Sequence, residues 1–180
     1  MGKILLGLLL YAIDIVMPIG EGRMISIVPD FLGYLCIAWG LRDIKHTSAR
    51  FVKCETISVG MALASGILFV TDILGFGSII NFTLLGVDLL ELIGFLVVLF
   101  LIFRGVQDIE TAAQRDLRVN VLKAIWIGLA VVSPIAWATS LINRTIAAFF
   151  VLPTVILDFA YILAFYRCKV AYEEYIADQD

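Results

Sequence analysis

The sequence is short of charge. Only 16% of its 180 residues are Asp, Glu, Lys or Arg, against ~25% in an ordinary soluble domain. That scarcity excludes a disordered chain, which needs polarity to stay solvated, and a basic nucleic-acid binder. Cysteine is scarce as well. Cys36, Cys54 and Cys168 form no C-x-x-C pair, so a disulfide scaffold is excluded. The single histidine, His46, has no His or Cys partner at ligand spacing, which argues against a soft-ligand metal site. His46 and Cys54 share one polar link, but no third group is placed to orient them as a catalytic pair. H-E-x-x-H, G-x-S-x-G and P-loop motifs are absent, and no cofactor is implied. Apolar residues, by contrast, make up 62% of the chain, with a mean hydropathy of +1.02. A soluble fold of this size has too little interior to hide them. The solvent for most of this surface must be lipid.

Six apolar spans can be counted, at about 3–19, 25–41, 56–74, 79–103, 121–142 and 145–166. They predict one all-α, polytopic membrane bundle over residues 1–168, with a short polar tail at 169–180. The first span resembles a signal peptide in having Lys3 before an apolar run. However, Asp14 follows, and no A-x-A-like cleavage site precedes Pro18, so it reads as a retained helix. Spans one and two are short enough to be tilted or half-inserted. Similar stretches at Gly40-Leu41-Arg42-Asp43-Ile44 and Gly105-Val106-Gln107-Asp108-Ile109 suggest a hairpin repeated three times. A three-plus-three arrangement is the rival.

The basic residues sort to one side. Lys3, Arg42, Lys45, Arg50, Lys53, Arg104, Arg115, Arg118, Lys123, Arg167 and Lys169 share it, leaving Arg23 and Arg144 opposite. With six spans, the positive-inside rule predicts a multi-pass cell-membrane protein with both termini cytoplasmic. Outer turns read as tight and inner links as longer. Trp39 and Trp126 fall near the inner boundary and Trp137 nearer the outer one, as aromatic belts do. Asn81 and Asn143 stand at outer helix starts, where Asn is a favoured cap. Ser58, Ala62 and Gly66 form a small-residue face on the third span, suited to close helix contact.

The acids are distributed differently. Asp14, Asp30, Asp72, Asp88, Glu91 and Asp158 fall inside spans that contain no Lys or Arg. Each costs roughly 2.5–3.5 kcal/mol at a helix centre on insertion scales. At ~1.5 Å per residue, Asp14, Asp30 and Asp72 lie within two turns of the outer surface. Asp88, Glu91 and Asp158 lie nearer the midplane, ~15 Å down. Asn81, Asp88 and Glu91 share one helix face by their i+7 and i+3 spacing. Two carboxylates at i+3 in low dielectric favour either a retained proton or a cation between them. Structural roles compete with this reading. Asp30 follows Pro29, where a helix N-terminus welcomes an acid. Asp72 can sit among headgroups, and a protonated Asp158 can bond nearby backbone.

Val28-Pro29-Asp30-Phe31-Leu32-Gly33-Tyr34, followed by Gly40-Leu41, resembles a P-D-F-x-G-Y segment found in small bacterial multi-pass membrane proteins of unknown function. The resemblance covers about the first quarter of the chain and implies no activity. It marks Pro29, Asp30, Gly33 and Tyr34 as defining positions.

The leading expectation is a protein that binds or transports a small cation or a proton through an outward-facing acidic cavity. Asp88, Glu91 and Asp158 would form its core, with Asp30, Asp14 and Asn81 toward the mouth. A second expectation is a non-catalytic scaffold or subunit that docks a membrane partner, or another copy of itself, through these acids. A third is an intramembrane acid–base enzyme acting on a lipid, which needs two acids within reach of one substrate.

Overall fold

The computed structural model describes residues 1–13, 16–19, 23–26, 29–74 and 81–177. It is an all-α bundle of six helices: α1 (Gly2–Ala12), α2 (Asp30–Ile44), α3 (Ala49–Ile73), α4 (Asn81–Ala113), α5 (Val119–Ile142) and α6 (Arg144–Ala177). The only strands among the described residues are β1 (Val16–Ile19) and β2 (Arg23–Ser26), which pair antiparallel with Val16 opposite Ser26 and Ile19 opposite Arg23. Parts of α3, α4, α5 and α6 are long and apolar enough to cross a membrane: Ala49–Thr71, Gly86–Ala113, Val119–Ile142 and Thr145–Ala177. These four fit a multi-pass membrane protein.

The first two helices are shorter than the sequence suggests. α1 stops at Ala12, where the reading above carries it to residue 19. α2 starts at Asp30 rather than residue 25. β-branched Val16 and Ile19 favour extended backbone, and Pro18 lacks the N–H that a continuing helix requires. Pro29, at φ −64° and ψ 135°, is the N-cap of α2, and Asp30 lies in its first turn, where the helix dipole favours an acid. At ~1.5 Å per residue, α1 rises only about 16 Å and α2 about 22 Å. Neither helix alone crosses the ~30 Å hydrocarbon layer.

The links at the basic end are shorter than expected. A 3₁₀ turn, Lys45–Thr47, joins α2 to α3, and only residues 114–118 separate α4 from α5. The charged residues read as a long loop after Arg104 instead continue α4 beyond the apolar stretch. The α4–α5 link is held by acids. Glu110 Oε2 accepts the Leu117 N–H at 2.7 Å and the Val119 N–H at 3.3 Å, and Asp116 accepts the Arg118 N–H at 2.7 Å. These bonds satisfy donors that the start of α5 leaves open, and they hold Arg118 at φ 61°, a left-handed conformation uncommon outside glycine.

α1 lies against α2 at close range because glycines meet there. A Cβ at Gly7 would stand 2.6 Å from the Gly33 carbonyl oxygen, and one at Gly40 would stand 2.6 Å from the Ile4 nitrogen. Gly33 therefore has a packing role within the P-D-F-x-G-Y segment. Tyr34, Ile37, Leu41, Phe51, Leu99, Ile102, Leu122, Tyr161 and Phe165 are buried in the core. Within it, the backbone of one stretch of α4 accepts bonds from three neighbouring helices. Trp126 Nε1 of α5 donates to Leu96 O at 2.9 Å, the Tyr161 hydroxyl of α6 to Leu99 O at 2.7 Å, and the Cys54 thiol of α3 to Val98 O at 3.6 Å. In a lipid solvent such polar contacts join helices that hydrophobicity alone cannot drive together. They also place Cys54 in the core, away from any pairing with His46.

Candidate functional site

The structure distributes the acids singled out above over the bundle. Asp158 is half-buried on α6 and faces a small cavity between α1, α4 and α6. Leu8, Ala12, Phe95, Leu99, Tyr161 and Ile162 complete its wall. Ridge residues explain the placement. Tyr161 is one turn below Asp158, and its bond to Leu99 O fixes α6 against α4. The cavity holds about 10 Å³, at the lower limit for one water. It has no room for a hydrated ion.

Glu91 and Asp30 belong to a second place. Glu91 stands one helical turn before Phe95 on α4, and both positions lie on the same face. Phe95 stacks on Tyr11 of α1, with ring centroids 3.8 Å apart and planes 17° apart. Tyr11 in turn meets Tyr34 of α2 edge-on at 5.5 Å. The charges of both Asp30 and Glu91 act on both phenols. Three helices thus contribute two carboxylates and two phenols to one neighbourhood. Tyr34 is fully buried, with its hydroxyl near that of Tyr11. A phenol in that position normally finds a partner.

The remaining expected residues stand apart or lie outside the description. Asp88 is on the exposed surface of α4, so Asp88 and Glu91 differ in environment despite their i+3 spacing. Asn81 begins α4, but its side chain is outside the described residues, as are the side chain of Asp72 and the whole of Asp14. Among the described residues, no three His, Cys, Asp or Glu side chains come together as a metal cage would require. Asp158 lines the small cavity and Asp30 and Glu91 lie near the two tyrosines, with Phe95 bordering both places.

Asn143 fills its expected capping role. Its Oδ1 accepts the Thr145 N–H at 2.8 Å and the Ile146 N–H at 3.4 Å. The sequence reading missed Tyr11 and passed over Tyr34 as a site residue. Their signal was a polar tip in an otherwise apolar helix, which has to end beside something polar when buried.

No family model, curated protein or solved structure matches this chain.

Proposed function

We propose that this chain binds or moves a small cationic species across a cell membrane, and that the species is the proton. The supporting observation is that Asp30 and Glu91, from different helices, lie near enough to the Tyr11–Tyr34 pair for their charges to act on both phenols. Ionisable groups in or beside apolar helices mark functional sites, proton relays among them. A buried phenol can donate to a carboxylate or accept from a carboxylic acid, so it suits a group that changes protonation. The small volume beside Asp158 favours a proton or a single water over a hydrated metal ion. Asp158 serves as a second proton-holding group in this reading.

The end carrying Lys3, Arg42, Lys45, Arg50 and Lys169 is cytoplasmic by the positive-inside rule. α1 begins and α6 ends there. The acids then open toward the outer side.

The test uses purified protein in liposomes with a pH-sensitive dye inside and a potassium diffusion potential as the driving force. Wild-type protein is expected to pass protons faster than empty vesicles do. Asp30→Asn with Glu91→Gln should abolish the excess, Tyr34→Phe should reduce it, and Asp88→Asn should leave most of it. Flux equal to that of empty vesicles, or full flux in the double variant, would overturn the reading. Circular dichroism of each variant checks that the helices persist.

A further inference from the structure

α2 and α3 run antiparallel and leave a groove along their outer face. Its apolar part, about 450 Å³, is lined by Phe31, Leu35, Ala62, Gly66 and Val70, among others. A second stretch, about 400 Å³, shares Leu35 and continues past Ala38, Trp39 and Val59 to Arg42 and Glu55. Both volumes are those of ligand sites, which run from ~300 to 1,000 Å³. Small side chains make the trough. Ala62 and Gly66 stand one turn apart on α3, and a Cβ at Gly66 would only graze Phe31, at 3.8 Å. The small-residue face expected to bring helices together is partly left open here.

The groove has a direction. From Phe31 to Arg42 it runs about 16 Å, and from Thr71 to Glu55 about 24 Å, at ~1.5 Å per residue. One bilayer leaflet has ~15 Å of hydrocarbon depth, so a single acyl chain fits lengthwise. The polar end lies at the basic end of the bundle. Lys3 pairs with Asp43 at 2.8 Å and Lys45 with Glu55 at 3.6 Å, so these four charges cancel. Among the described residues Arg42 has no ion pair of its own and lies near Asp43 together with the N-terminal ammonium, so this corner carries net positive charge. Beside it the exposed Trp39 ring, 63% accessible, lies under the Lys3 ammonium at 4.6 Å, an arrangement typical of the headgroup level.

We propose that this groove holds one anionic phospholipid, with an acyl chain along Phe31, Leu35 and Gly66 and its phosphate at Arg42. A zwitterionic lipid offers the same chain but no net charge to match this positive corner.

The test is native mass spectrometry of the full chain in neutral detergent with added phosphatidylglycerol or phosphatidylcholine. One phosphatidylglycerol should be retained preferentially. Arg42→Gln should weaken that preference about fivefold, the equivalent of the ~1 kcal/mol that one basic residue contributes near an anionic surface. Lys123→Gln, at the same end but outside the groove, should leave it unchanged. Gly66→Leu should lower retention of both lipids, with its melting temperature confirming that the bundle still folds. Equal retention of the two lipids by wild-type protein would overturn the proposal, as would unchanged preference in Arg42→Gln. So would a lipid-free dimer cross-linked through the Leu63–Ile67 face, since a second copy would then be the occupant.

Discussion

The two ends of the bundle are built differently. Toward the basic end, α4 buries Phe95, Val98, Leu99, Ile102, Phe103, Val106 and Ile109 in succession, and α6 buries Tyr161, Ile162, Ala164, Phe165 and Cys168. Toward the other end, the same helices show Leu90, Ile93, Phe149, Val151, Leu152, Val155 and Ile156 at the surface. Charge follows the same division. At the packed end, cations and acids satisfy one another. Asp108 accepts from Ser48 Oγ at 2.5 Å and pairs with Arg50 at 3.3 Å, Lys3 pairs with Asp43, and Lys169 with Glu173. Glu91 and Asp158 stand at the border of the packed region, just before Phe95 on α4 and Tyr161 on α6. Helices held together by protein contacts can bring acids and bases face to face.

The sharpest way to break this contrast is to place a methyl group in the packed region. Gly40→Ala sets a Cβ against the Ile4 backbone, which no rotamer change relieves. It should cost about 1–3 kcal/mol by overpacking, read as a lower midpoint in detergent denaturation. In the open region, Gly86 has nothing within 4 Å of such a Cβ. Gly86→Ala should be neutral or stabilise the helix by about 0.5–1 kcal/mol. Equal losses in the two variants would remove the distinction between the ends.

A smaller effect is expected from Glu110→Ala, which strips the carboxylate from the Leu117 and Val119 N–H groups. A loss of about 1 kcal/mol is expected, as for other helix-start caps. Amide hydrogen exchange should quicken at the start of α5 and stay unchanged at the start of α6, which Asn143 caps. Uniform quickening along both helices would show that Glu110 supports the whole bundle instead.

The smallest effect belongs to the exposed Lys3–Asp43 pair. The Lys3 ammonium holds the Asp43 carboxyl below the usual carboxylate range. A carboxyl depressed in the folded state contributes stability above its unfolded value of about 3.9. That contribution fades as pH falls through the lower folded value. The α1–α2 contact should therefore loosen slightly in acid, and Asp43→Asn should flatten that part of the stability profile. Salt should weaken the pair at neutral pH. A profile unchanged in Asp43→Asn would show that other acids account for the acid sensitivity.

Much of this architecture was legible in the chain because lipid imposes a strong rule: backbone polar groups must be satisfied internally, so long apolar runs become helices. The third to sixth spans and the sorting of basic residues to one end follow from that rule. The first two spans were less legible. Hydropathy does not distinguish an apolar helix from an apolar hairpin, and β1 and β2 carry side chains either would accept. The polar links after Ile44 and Arg104 misled for a related reason, since charge marks where lipid ends but not where a helix ends. The acids were visible as anomalies at Asp30, Asp88, Glu91 and Asp158, yet their grouping was hidden. The i+3 spacing of Asp88 and Glu91 fixes a face on one helix and leaves open what opposes it.

The sequence by itself determined a helical bundle whose apolar helices fit a membrane and most of whose cations gather toward one end, because hydropathy and charge are local properties read residue by residue. Tertiary structure alone decided that Tyr11 of α1 lies between Tyr34 of α2 and Phe95 of α4, and that Asp158 faces a small cavity. It also decided that α2 and α3 leave a groove ending at Arg42. Those outcomes depend on how far helices can approach, as Gly7, Gly33 and Gly40 set it between α1 and α2 through contacts between residues distant in the chain.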